Sequence, residues 1–78
     1  MKVYPNPARD QIFIDFGQSV ENIEVEVYNL IGNKINDLNI VALDNKTFSA
    51  DLNSLEKGIY ILQINSEVGK ITKKFVKQ

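Results

Sequence analysis

Hydrophobic and polar positions alternate along most of this chain with a period of two. Ile12, Ile14 and Phe16 alternate with Phe13 and Asp15; Ile23, Val25 and Val27 with Glu24, Glu26 and Tyr28; Tyr60, Leu62 and Ile64 with Ile61 and Gln63. Successive side chains of a strand point to opposite faces, so each run predicts a strand with one face on a core. The abundance of Ile, Val, Phe and Tyr in these runs agrees with strand preference. Turn signals fall between them: Pro5-Asn6-Pro7, Gly17-Gln18-Ser19, Asn29 to Lys34 around Gly32, Asp44-Asn45-Lys46, and Glu67-Val68-Gly69-Lys70. Neither proline can donate to a ladder, and Gly32 or Asn33 can take the positive φ of a hairpin connection. The predicted strands are 2–4, 11–16, 22–28, 34–40, 46–51, 59–65 and 70–76. In 51–58, Leu52 and Leu55 lie three apart and Asn53 or Ser54 can cap, so one helical or 3₁₀ turn is expected, closed by Gly58. A single sheet would leave one face bare. Two packed antiparallel sheets are therefore expected, with Ile12, Ile14, Val25, Val27, Tyr60, Leu62 and Ile64 inside.

The last run breaks the alternation. Ile71 and Phe75 share a parity, but Lys73 lies between them on the same nominal face, and Val76 has the opposite parity. Either a bulge near Lys73-Lys74 restores the register, or this is an edge strand from which an inward-facing lysine reaches out to water. Both readings make the C-terminal strand accessible. Charge on it should matter little to stability. Removing the residues from Lys73 onward is expected to cost some core, through Phe75 and Val76, but less than it costs in recognition.

With 78 residues, 44% hydrophobic and 24% charged, the composition is that of one small globular domain, expected to span 1–78. The absence of cysteine removes disulfides and thiolate metal sites, and the absence of histidine removes the commonest general base and metal ligand. The carboxylates offer little chemistry. Glu24 and Glu26 share a strand face about 7 Å apart, but a chain this short has little room for a cleft between two acids. Asp37, Asp44 and Asp51 match no calcium-loop spacing and are better explained as turn formers. Tyr60 belongs to a core alternation, and Tyr4 and Tyr28 form no cluster with basic residues of the kind that stacks bases or sugars. No cofactor and no enzymatic activity are expected.

The net charge of −1 argues against nucleic acid as a partner. It is unevenly spread: residues 70–78 hold Lys70, Lys73, Lys74 and Lys77 and no acid, leaving −5 on the rest. Such a strand reads as an aggregation guard, a recognition element, or both. No apolar run is long enough for a membrane-spanning helix, and the first residues contain no apolar stretch of a signal peptide. No membrane insertion is expected, and any export signal would lie elsewhere.

Several segments, in order, carry a family resemblance. Tyr4-Pro5-Asn6-Pro7-Ala8 precedes Asp10; Tyr28-Asn29 is followed by Gly32; Leu55, Gly58, Tyr60, Leu62 and Ile64 form one spaced set; and Gly69 leads into Lys73, Phe75, Val76 and Lys77. Together they make the chain similar to the type A C-terminal sorting domain of the bacterial type IX secretion system, the Por secretion tail family. That resemblance implies an all-β, Ig-like antiparallel β-sandwich of about seven strands. It implies a C-terminal module behind a larger N-terminal cargo in a Gram-negative bacterium. The cargo would pass through the periplasm, cross the type IX outer-membrane translocon, and end on the cell surface or in the medium. A surface sortase would remove the module. The candidate recognition residues are Lys73, Lys74 and Lys77 on the last strand, with Pro5, Asn6 and Pro7 fixing how cargo leaves the domain. Gly58 and Tyr60 would act indirectly, by holding the sandwich together. The alternative is an Ig-like adhesion or carbohydrate-binding module of a surface protein, which predicts exposed aromatics clustered in loops.

Overall fold

A computed structural model describes residues 1–36, 38–67 and 69–78. The chain forms β1 (Lys2–Tyr4), β2 (Gln11–Asp15), β3 (Glu24–Asn29), β4 (Lys34–Ile35), β5 (Asn39–Ala42), β6 (Thr47–Asp51), β7 (Gly58–Ser66) and β8 (Gly69–Lys77). One sheet has the order β1-β2-β6-β5 and the other β4-β3-β7-β8, with every pairing antiparallel. The expected all-β, two-sheet architecture is therefore what the chain adopts. Its core is enclosed between the sheets by Ile12, Ile14, Val27, Leu62, Ile64 and Phe75, together with Ala50 and Leu52. Tyr60 is buried as predicted, and its hydroxyl donates to the Glu56 carbonyl at 2.7 Å.

Some expectations change, and one open alternative is decided. The single strand predicted over 34–40 is two short strands in different sheets: β4 pairs with β3, and β5 with β6. The chain crosses between sheets there, in a stretch without glycine or proline to announce it; Asp37 lies outside the described residues. Val25, expected inside, is only half-buried. Because β4 is so short, the start of β3 has no neighbour on that side, and Val25 lines an open groove with Ile40 and Phe48. No bulge occurs in β8, whose pairing runs unbroken from Gly58 opposite Lys77 to Ser66 opposite Gly69. The inward-lysine alternative holds instead: Lys73 stands opposite the fully buried Leu62, yet is itself exposed. Finally, Phe75 supplies more than some core. It is the largest of the fully enclosed side chains and stacks on Tyr60 at 5.6 Å between ring centroids. Truncation from Lys73 would remove a central packing unit, not a dispensable tail.

The turns use the residues the sequence offers, through side-chain acceptors. Asn29 Oδ1 accepts from the backbone N–H groups of Ile31 (3.1 Å) and Asn33 (2.9 Å), and Gly32 takes φ 91°, a conformation that β-carbon sterics disfavour in other residues. Between β6 and β7 a single turn closes with Leu55 N–H donating to the Leu52 carbonyl at 3.0 Å. Its cap is Asp51, whose Oδ1 accepts from Asn53 N–H at 2.9 Å, rather than Asn53 or Ser54. Gly58 then opens β7. In the β7–β8 connection, Val68 lies outside the described residues.

Candidate functional site

The order of strands leaves β1 at the edge of one sheet and β8 at the edge of the other. These two edges border one cleft of about 640 Å³, whose walls include Lys2, Val3, Asn6, Asp15, Lys73 and Lys74. Three of those six residues are cations and one is an anion. The candidate residues Lys73 and Lys74 therefore come together with Asn6, nearly seventy positions away in sequence.

Asn6 does more than shape a bend. The Tyr4–Pro5 and Asn6–Pro7 peptide bonds are both cis, and the segment runs alongside the end of β8. The Asn6 side chain behaves there like a backbone amide. Its Oδ1 accepts from Val76 N–H at 3.0 Å, and its Nδ2 donates to the Lys74 carbonyl at 3.4 Å. Two residues later Ala8 continues the pairing as a parallel bridge: its N–H donates to the Val76 carbonyl, and its carbonyl accepts from Gln78 N–H, both at 2.7 Å. Ala8 is fully buried, so a small side chain suits this close approach. Proline cannot donate, and here the neighbouring Asn6 side chain and Ala8 backbone supply the missing partners.

Asn6→Ala is expected to remove both side-chain bonds and destabilise the domain by about 1 kcal/mol, since the freed groups reach solvent. The check is amide hydrogen exchange, in which Val76 should lose protection while Leu62 keeps its own. Equal protection of Val76 in both proteins would show that Asn6 does not hold the strand.

Lys77 is separated from Lys73 and Lys74. It lies at the far end of β8 in a second cleft, of about 730 Å³, with Arg9, Asp10, Lys57 and Gln78. Its Nζ donates to the Gln78 carbonyl at 2.9 Å. Gly58 stands opposite Lys77 and Tyr60 opposite Phe75, so both lie on β7, beside the last strand in the same sheet. Pro5 and Pro7 line a shallow groove beside Arg9 and Phe13. The candidate residues thus divide into three groups along one strand: a basic cleft, a hydrogen-bonded strap, and a basic end.

The acidic residues are used structurally. Glu26 and Lys34 form an ion pair at 3.0 Å, which holds the carboxyl below its usual range and the amine above its usual one. Asp44 Oδ1 accepts from the N–H groups of Lys46 and Thr47, both at 2.8 Å, and these bonds hold its carboxyl low. Asp44 and Asp51 are turn formers, as the spacing suggested. The exposed ring of Tyr4 pairs with Phe13 at 5.5 Å, across neighbouring strands rather than in a loop. Among the described residues, no loop cluster of aromatics supports the carbohydrate-binding alternative.

A family model described as a secretion system C-terminal sorting domain matches residues 2–78. No curated protein matches the chain. The match takes in all eight strands, the Asn6 strap and the basic last strand, and on that ground the chain belongs to the family of secretion system C-terminal sorting domains, the signals of the type IX route.

Proposed function

We propose that residues 1–78 are the C-terminal module of a larger exported protein, acting as its address. The cargo on its N-terminal side reaches the periplasm by a separate signal. The folded sandwich then presents it to the type IX translocon, and a surface sortase removes the domain as cargo is released or attached to the cell surface. In this reading the domain is acted upon and catalyses nothing itself. The observation that carries it is the family match across the full length of the fold.

The arrangement of the edge supports the recognition part. A signal that is a folded shape needs handles held in fixed positions. Lys73 and Lys74 are exposed on a strand locked on one side by β7 and at its end by Asn6 and Ala8. They are the residues we assign to direct contact with the machinery. Pro5, Asn6 and Pro7 fix the path by which cargo joins the domain, and Gly58 and Tyr60 hold the strand in place.

The test is a fusion: a reporter with an ordinary signal peptide, followed by this domain, in a host with a working type IX system. The reporter is expected on the surface or in the medium. Without residues 1–78 it should stay in the periplasm. A reporter that leaves the cell equally well without the domain would overturn the proposal.

A further inference from the structure

The outer edge of β8 is closed along one half and open along the other. In an antiparallel ladder, residues alternate between directing both backbone groups at the neighbour and directing both away. The outward groups of β8 can be identified from their partners. Val76 N–H and C=O, the Lys74 carbonyl and Gln78 N–H all point away from β7, toward Asn6 and Ala8. By the same alternation Lys70 and Thr72 direct their N–H and C=O outward, as does the N–H of Lys74. Among the described residues no strand pairs with them, because β8 is the last strand of its sheet. The strap therefore seals positions 74–78 and leaves 70–74 as an unfilled edge.

The space beside the Lys73–Lys74 end of this edge has a definite charge. The cleft between β8 and β1 is walled by Lys2, Lys73 and Lys74 against the single carboxylate of Asp15. Lys73 faces inward by parity and is exposed because it reaches into the opening. Lys70 and Lys74 have the opposite parity and stand on the outer face. A strand laid on this edge would have lysines on both of its faces. Val3, half-buried on the facing sheet, offers an apolar floor for its inward side chains. Among the described residues the ion pair joins Glu26 on β3 to Lys34 on β4 and includes none of the β8 lysines, although the charge of Lys70, on the same outer face, also helps to hold the Glu26 carboxyl low.

We propose that the open half of the β8 edge, from Lys70 to Lys74, takes up an extended acidic segment of a partner protein as an added strand, seated in the cleft between β1 and β8. Main-chain hydrogen bonds to Lys70, Thr72 and Lys74 supply the affinity, and the lysines select carboxylates. The strap at Asn6 stops the added strand at Lys74 and so fixes its register. The proposal rests on the sorting reading only for where that partner is met, in the export machinery.

The probe is a synthetic octapeptide alternating valine and glutamate, with a valine–glutamine peptide as control, added to the intact domain. Amide exchange at Lys70, Thr72 and Lys74 should slow with the glutamate peptide. Its binding should weaken with added salt, and the control should bind about tenfold more weakly. Thr72→Pro removes an outward N–H that the ladder to β7 does not use, and proline is tolerated at such edge positions. This variant should keep the exchange protection of the β7 amides and lose the peptide. Should Thr72→Pro fail to fold, Lys73→Glu with Lys74→Glu takes its place and should prefer a valine–lysine peptide. Equal binding of the two original peptides, or protection appearing on β5 or β3 instead, overturns the proposal. The reporter assay separates the two readings. Export on the wild-type domain and equally on folded Thr72→Pro leaves sorting intact and sinks the edge proposal. No export on the wild-type domain sinks sorting, and the peptide measurement still decides the edge.

Discussion

Replacing Phe75 with alanine should destabilise the domain by about 3–5 kcal/mol. Its ring is completely enclosed, lies parallel to Tyr60 within 21°, and fills the core under the last strand. Removing it leaves a void that Tyr60 cannot fill, because the Tyr60 hydroxyl is tied to the Glu56 carbonyl. For a chain of this length each kcal/mol lowers the melting temperature by about 4–8 °C, so a fall of at least about 12 °C is expected. Small domains have little stability in reserve, and much of the variant should be unfolded at growth temperature. Thermal denaturation followed by circular dichroism measures this directly. A loss below about 1 kcal/mol would mean that β8 is not packed as described. Truncation from Lys73 is for the same reason no clean test of recognition, since it removes Phe75 and the strand to which Asn6 and Ala8 bond.

Charge reversal avoids that confusion. Lys73→Glu with Lys77→Glu should shift the melting temperature by a few degrees at most, because exposed charges contribute little to stability. The two sites differ in a helpful way. At position 77 a carboxylate would share its cleft with two cations, Arg9 and Lys57, and one acid, Asp10, and would lose the contact to Gln78. At position 73 it would join Asp15 in the cleft and turn a basic opening into an acidic one. The reporter is then expected to accumulate in the periplasm while the domain remains folded. Normal melting combined with export at the normal rate would reduce the lysines to an aggregation guard and move recognition elsewhere on the sandwich.

Much of this fold is written in local sequence. The alternation of Ile12 with Ile14, and of Tyr60, Leu62 and Ile64, marks the buried faces because strand periodicity is a property of adjacent residues. Gly32, Asp44 and Gly58 mark turns for reasons equally local. What escapes is set by distant partners. Ala8, Leu52 and Phe75 are buried outside any clean alternation, because the strap is placed by the end of β8, the turn by the Asp10 carbonyl and the last strand by β7, all distant in sequence or outside the run itself. Val25 follows the pattern but is left half-covered by the brevity of β4, which its own neighbours do not encode. The candidate site was legible as a set of residues and a parity conflict at Lys73. That conflict had two solutions, and the unbroken register with β7 selects the edge strand over the bulge. The bonds from Asn6 to Lys74 and Val76 span 68 and 70 positions, and no local spacing announces them.

The parallel bridge between Ala8 and the end of β8 also bears on how the domain responds to being pulled. Tension between the two ends of the chain would draw Ala8 and Gln78 in opposite directions along neighbouring, parallel segments. The bonds from Ala8 to Val76 and Gln78, and from Asn6 to Lys74 and Val76, lie across that line and share the load together instead of opening one by one. Resistance of this kind is governed by the rate of unfolding rather than by equilibrium stability. Parallel end segments bonded in this way put the bonds under shear, so the fold resists tension along its ends by the rate at which it opens.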